Sequence, residues 1–195
     1  MNRQSFFDKI RRTLFSGKLS QPQVTNIEIL LDTWQKLVPN ADKRWVANSL
    51  AQIFHETGGR MEPVRETFAK SDAVAKSRLE RAWITGQLSW VKEPYWRDGW
   101  YGRGHIQLTH KANYLKMEKR TGYKLTENPD LMLDSKISAE VSLTGMIEGL
   151  FTGRKLSDYF NSDTDSPINA RRIINGADGM SAHVSELHKK FLQAL

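Results

Sequence analysis

Two glutamates ten positions apart, Glu56 and Glu66, are the side chains of this sequence best placed to do chemistry. Glu56 sits in His55-Glu56-Thr57-Gly58-Gly59, at the end of a helix-like run over 47–54. It falls three positions after Ile53, so helical spacing sets it beside the apolar face of that run. Gly58 and Gly59 stop the helix and leave backbone free of side chains, so a bulky ligand can come close. Glu66 follows in a loop, in wetter surroundings. Partial removal from water favours a protonated carboxyl, and solvation favours an ionised one. Two acids in unlike environments are what acid/base cleavage of a sugar linkage requires. An isolated glutamate near a helix end is more commonly a solvated surface residue; Ile53, Phe54 and the glycine pair argue against that reading for Glu56. Glu62 is a rival to Glu66 as the second acid.

The second informative stretch is Trp100-Tyr101-Gly102-Arg103-Gly104-His105-Ile106-Gln107-Leu108-Thr109, continued by Asn113-Tyr114. It follows a segment with Trp90, Tyr95 and Trp96 set among Pro94 and Gly99. Aromatic rings there could stack on sugar faces or wall a cleft, and core packing is an equal contender for each ring.

Other chemistries fail on spacing. A zinc protease helix needs a second histidine four positions after His55, where Gly59 stands. Gly102-x-Gly104 is followed by Gln107 where a dinucleotide fingerprint wants glycine, and no Gly-Lys-Ser/Thr occurs. Asp163 and Asp165 lack the glycine and distal glutamate of a calcium loop, and read as turn formers. No Gly-x-Ser-x-Gly elbow is present. No metal or cofactor is therefore expected. Lys111, Lys116, Lys119, Arg120 and Lys124 could contact phosphates, but a solvated helix face is the commoner meaning of such a run.

The elements that must position these residues are helical. Residues 4–15 form an amphipathic helix with Phe6, Phe7, Ile10 and Leu14 on one side, docked on the body or lying on a membrane surface. Ser20 caps a second helix through Leu37, with Pro22 in its first turn. Asp42 caps the helix that carries Glu56. Ser71 or Asp72 starts another, to about Gly86; further helices are expected over about 110–121, from Asp134 to about Phe151 with Gly153 closing it, near 154–161 and 167–175, and over 181–194. Strand periodicity is almost absent.

At 195 residues the chain is expected to form a single domain over 1–195, with 1–40 packed as an N-terminal element on a core over 41–180 and no separate wall-binding module. The composition, 39% hydrophobic and 26% charged, is ordinary for a soluble protein, and stable membrane insertion is not expected. The absence of cysteine excludes disulfides and thiolate chemistry and fits a reducing cytosol, and 1–18 lacks a secretory apolar core. A formal charge of +7 suggests an anionic partner.

These blocks together resemble glycoside hydrolase family 19, the plant-type chitinases and the related phage and bacterial lysozymes. The resemblance rests on 55–59, on Tyr101-Gly102-Arg103-Gly104-x-x-Gln107-Leu108-Thr109-x-x-x-Asn113-Tyr114, on Asn128-Pro129-Asp130-Leu131 and on Arg172-Ile173-Ile174-Asn175-Gly176. The segment 151–160 looks like endolysin-type members. The resemblance implies a mainly α, lysozyme-like fold with two helical lobes around a substrate cleft. It implies Glu56 as general acid, Glu66 as general base and Thr109 as the hydroxyl that helps hold the attacking water. Gln107, Asn113 and Asn175 are implied to bind sugar N-acetyl and hydroxyl groups, with His55, Tyr101, Arg103 and Tyr114 completing the substrate-binding set. The Glu56–Glu66 spacing is one longer than in compact members, and Arg65 adjoins Glu66.

The expected activity is inverting hydrolysis of the β-1,4 bond in peptidoglycan by an endolysin. The protein is expected to be a monomer that waits in the host cytoplasm and then acts on the cell wall. Inversion predicts carboxyl groups about 6.5–9.5 Å apart. Arg65 and Arg103 are expected to help keep Glu66 charged. A chitinase is the alternative within the class. A sugar- or nucleic-acid-binding module without catalysis is the rival from another class; no nucleic-acid partner is expected.

Overall fold

The computed structural model describes residues 1–176 and 178–195. Among them the sequence folds into seven α-helices: α1 (Arg3–Thr13), α2 (Gln21–Leu37), α3 (Lys43–Glu56), α4 (Asp72–Ile84), α5 (Lys111–Thr121), α6 (Ser135–Glu148) and α7 (Ser181–Ala194). Helix starts follow capping chemistry. Ser20 and Gln23 form a reciprocal capping box on α2. Asp42, Ser71 and Asp134 accept from first-turn amides of α3, α4 and α6.

α6 ends earlier than expected: Gly149, left-handed at φ 75°, caps it, and Gly153 closes a following turn instead. The segments expected as short helices at 154–161 and 167–175 are single 3-10 turns, Leu156–Asp158 and Asn169–Ile173.

The main core joins residues from α1 to α7. Phe6 and Ile10 of α1 are fully buried in it beside Ile27, Leu30, Leu50, Ile53 and Phe191. The apolar face of α1 is thus covered by the body, chiefly α7, rather than left for a lipid surface. No helix of the described residues is long and apolar enough to cross a membrane.

A smaller cluster, built on Ala69, Ala75, Leu79, Trp96 and Tyr101, gathers α4 and the aromatic segment 88–101 into a second lobe. The two lobes meet at a short antiparallel pair, β1 (Val64–Arg65) and β2 (Arg103–Gly104), with Val64 opposite Gly104 and Arg65 opposite Arg103. Glu66 therefore leaves a strand into a 3-10 turn, Glu66–Phe68, rather than lying in an open loop. The fold is mainly α, with two helical lobes around a cleft.

Candidate active site

Glu56 is the last residue of α3, and its side chain is 15% exposed. The enclosure is not purely apolar. The guanidinium of Arg171, 2% exposed, comes within 2.6 Å of Glu56 Oε1. The N–H does not point along this contact, and Oε1 accepts no well-aligned hydrogen bond among the described residues. Arg171 is locked from its other side: it donates to Gln52 Oε1 at 2.8 Å and to Asp178 Oδ2 at 2.9 and 2.7 Å. Burial opposes ionisation of Asp178, but its bonds to Arg171 hold the carboxyl below the usual range. Gln52 stands one helical turn before Glu56, so α3 supplies both the acid and a brace for the arginine beside it.

Glu66 is held by different means. Its Oε1 accepts from the Tyr95 hydroxyl at 2.8 Å and its Oε2 from the Gly102 amide at 2.6 Å, while its own amide donates to Gly102 O at 2.7 Å. Burial, then the charge of Glu66, pushes the Tyr95 phenol well above its ordinary value, so it remains a donor at any physiological pH. Both carboxylate oxygens of Glu66 are thereby fixed. Gly102 is required here for space: a Cβ would lie 2.8 Å from Gln107 Oε1 and 3.3 Å from Glu66 Oε2.

A cleft of about 1020 Å³ runs between the lobes. Trp90, Tyr95 and Trp100 line one side of it, and Thr109, Lys111 and Asn175 contribute elsewhere to its wall. Trp90 is 72% exposed, an open aromatic face. Neither acid lines this wall directly. Glu66 stands behind Tyr95, and Glu56 reaches Asn175 through Arg171 and Asp178, to which Asn175 Nδ2 donates at 3.4 Å. Among the described residues Thr109 Oγ1 makes no protein hydrogen bond, so it can bind water; the Thr109 carbonyl is fixed by Asn113 Nδ2 at 2.9 Å. Glu62 faces a separate hollow.

The remaining expected ligand-binding residues divide. Gln107, at φ 54°, donates to Val64 O and Gly104 O at 3.0 and 3.2 Å, and so ties together the strand pair behind Glu66. Gln107 and Asn113 both border a small hollow beside Thr109. His55 packs edge-on against His183, 5.5 Å between ring centres. Burial, then the Arg171 charge, holds the His55 imidazole below its ordinary value.

Tyr101, Arg103 and Tyr114, expected to touch sugar, are instead buried. Arg103 stacks 3.8 Å from the Tyr101 ring centre and bonds Asp130 at 2.6 Å, and the Tyr101 hydroxyl bonds Asp72. Tyr114 donates to Tyr101 O at 3.2 Å. Arg65 pairs with Asp72 and Asp130. The expectation that Arg65 and Arg103 act on Glu66 is therefore corrected: Asp72 and Asp130 take both guanidiniums. The apparent sugar-binding motif is the frame of the strand pair.

Sequence reasoning missed Arg171, Gln52 and Asp178. Gln52 was detectable from its i, i+4 relation to Glu56. Arg171 directly precedes the Arg172–Gly176 block but gave no signal of its own, because its partners lie 119 and 115 positions back along the chain.

Comparison with known proteins agrees with this architecture. The sequence model of the family described as chitinase class I, Glyco_hydro_19, matches residues 37–147. Acidic endochitinase Q of Nicotiana tabacum is 40% identical over 61 residues, 31% of this chain and 24% of the tobacco protein. An acidic 26 kDa endochitinase of Solanum lycopersicum is 41% identical over 56 residues, 28% of this chain and 22% of the tomato protein. The matched part thus spans about a quarter of each plant enzyme's length. A crystal structure of a bacterial family 19 chitinase superposes over 99% of this chain and 93% of its own, with a TM-score of 0.57 at 20% identity, a likeness of fold. With more than half of its residues matched by the family's sequence model, over the stretch that carries Glu56, Glu66 and Thr109, the chain belongs to glycoside hydrolase family 19.

Proposed function

We propose that this protein is an inverting glycosidase that cuts the β-1,4 bond between N-acetylated amino sugars. The observation that carries the reading is the unlike anchoring of two carboxylates. Glu66 has both oxygens fixed by hydrogen bonds, and Glu56 keeps an oxygen without an aligned donor. In this mechanism Glu56 gives its proton to the leaving oxygen. Glu66, ionised and oriented by Tyr95 and Gly102, takes a proton from water, and Thr109 positions that water. Trp90 and Trp100 supply ring faces for the sugars, and Asn175 a hydrogen-bonding amide.

Chitin-type polymers of N-acetylglucosamine are the first substrate class, in line with the names of the plant relatives. Peptidoglycan shares the linkage and the acetamido groups. The formal charge of +7 favours it as a second reading, since a bacterial wall is acidic and would attract a cationic enzyme. An endolysin role in host lysis follows from that second reading.

The test is hydrolysis of N-acetylglucosamine oligomers and purified sacculi, followed by proton NMR of the first product. An inverting enzyme releases the α-anomer from a β-linked chain. Initial release of the β-anomer would overturn the assignment of Glu66 as base.

A further inference from the structure

A second hollow, of about 250 Å³, lies on the segment that joins Glu56 to Glu66 and is bounded by Arg60, Glu62, Val64, Phe68, Lys70 and Leu133. Its rim carries charged side chains of both signs. Arg65, which also borders it, is committed to Asp72 and Asp130. Among the described residues Arg60, Lys70 and Glu62 form no ion pair.

Arg60 instead lies over the face of Phe68, 4.7 Å from the ring centre. Phe68 is 43% exposed, and its ring leans on the backbone of Gly58, where a Cβ would come within 3.2 Å. The segment is held in conformations that residues other than glycine rarely adopt: Met61, Thr67 and Phe68 have φ of 61°, 61° and 53°. Such backbone persists where the surrounding structure dictates it, and it gathers at ligand-binding places. The turn at Thr67 and Phe68 presents an apolar ring and a free guanidinium side by side next to Glu66.

We propose that this hollow binds a short acidic peptide with a free amino group, carried as a substituent on the glycan. The peptide carboxylates meet Arg60 and Lys70 through charge-assisted hydrogen bonds. Its ammonium meets Glu62, and its aliphatic parts lie on Val64, Phe68 and Leu133. The inference rests on the glycosidase reading and deepens it. Chitin carries no such substituent, whereas peptidoglycan does, so the hollow selects the peptide-bearing wall polymer as substrate.

The test uses the full chain and its Arg60→Ala/Lys70→Ala double variant, both substitutions being at exposed positions. Steady-state kinetics are measured on soluble peptidoglycan strands and on the same strands stripped of peptide by an amidase. The wild type is expected to show a lower KM on peptide-bearing strands. In the double variant that KM rises about tenfold or more, the loss expected for charge-assisted contacts, while cleavage of stripped strands is unchanged. Equal wild-type KM on both substrates, or equal slowing of both by the double variant, overturns the proposal. Calorimetric titration with the free acidic peptide separates the two readings. Binding that the double variant abolishes supports the hollow even if no glycan is cut, and absence of binding overturns it even if glycan is cut.

Discussion

Arg171 reaches Glu56 from a distance of 115 positions along the chain and stops 2.6 Å from its carboxyl group, held from the other side by three hydrogen bonds to Gln52 and Asp178. An arginine this buried cannot adjust to solvent, so it fixes the acid at the end of α3. Arg171→Met is expected to leave the Asp178 carboxylate without its counter-charge and to destabilise the protein by about 3–5 kcal/mol, the usual result of breaking a buried pair on one side. Arg171→Lys keeps the charge but loses the fork, and should fall between. Urea unfolding of both variants measures this; wild-type stability of Arg171→Met would contradict the role assigned to the contact.

Glu56→Gln preserves the shape of the side chain and removes its transferable proton. Its circular dichroism and melting curve should match the wild type, while glycan cleavage falls by about 10²–10⁴-fold or more. Turbidity clearing or oligomer hydrolysis at the wild-type rate would remove Glu56 from the mechanism.

Tyr95→Phe deletes the hydroxyl that donates to Glu66 Oε1 at 2.8 Å and leaves the aromatic wall of the cleft in place. A hydrogen bond to a charged group is worth about 1.5–3 kcal/mol, so kcat should drop by roughly ten- to a hundredfold with KM little changed. A rise in KM at constant kcat would mean that Tyr95 serves sugar binding alone.

Acid should destabilise the fold through two buried imidazoles. Burial holds both His105 and His188 down to about 4, against about 6.5 in the unfolded chain. The unfolded state therefore takes up protons first as pH falls. Stability is fully present above about pH 6.5, declines between there and about 4, and levels off below. For the fully buried His105 the loss is about 3 kcal/mol. Melting temperatures measured across that range should fall steadily, and His105→Gln should flatten the profile. A melting temperature constant from pH 7 to 4 would show that these side chains do not remain buried and neutral.

Gly145, inside α6, has no room for a methyl group: a Cβ would sit 1.9 Å from Phe151 Cζ. Gly145→Ala gains about 1 kcal/mol of helix propensity yet should lower stability, because the ring must move and overpacking costs about 1–3 kcal/mol. Thermal unfolding decides the sign. Stabilisation would mean that the Phe151 ring yields freely.

Local chemistry made much of this protein legible from its residues. Ser20, Asp42 and Asp134 start helices because each side chain can satisfy amides only a few positions ahead. The end of α3 at Glu56 and the family blocks at 55–59 and 101–114 were readable for the same reason: they are written in neighbouring residues. What those blocks do was less legible. Tyr101, Arg103 and Tyr114 have the composition of a sugar-binding motif, yet they are buried in a frame that includes Asp72 and Asp130.

Most helix starts and the candidate acids are set by side chains that act over three or four positions, and the order of residues contains that information; the end of α6 at Gly149 and the 3-10 turns at Leu156–Asp158 and Asn169–Ile173 were not readable in the same way. The environment of each acid is set by groups far away in sequence: Arg171 and Asp178 beside Glu56, Tyr95 and Gly102 around Glu66. Charge and hydrogen bonding act through space over a few ångströms, and only packing of the two lobes decides which distant groups come that close. The sequence named the carboxylates, and the tertiary structure chose their neighbours.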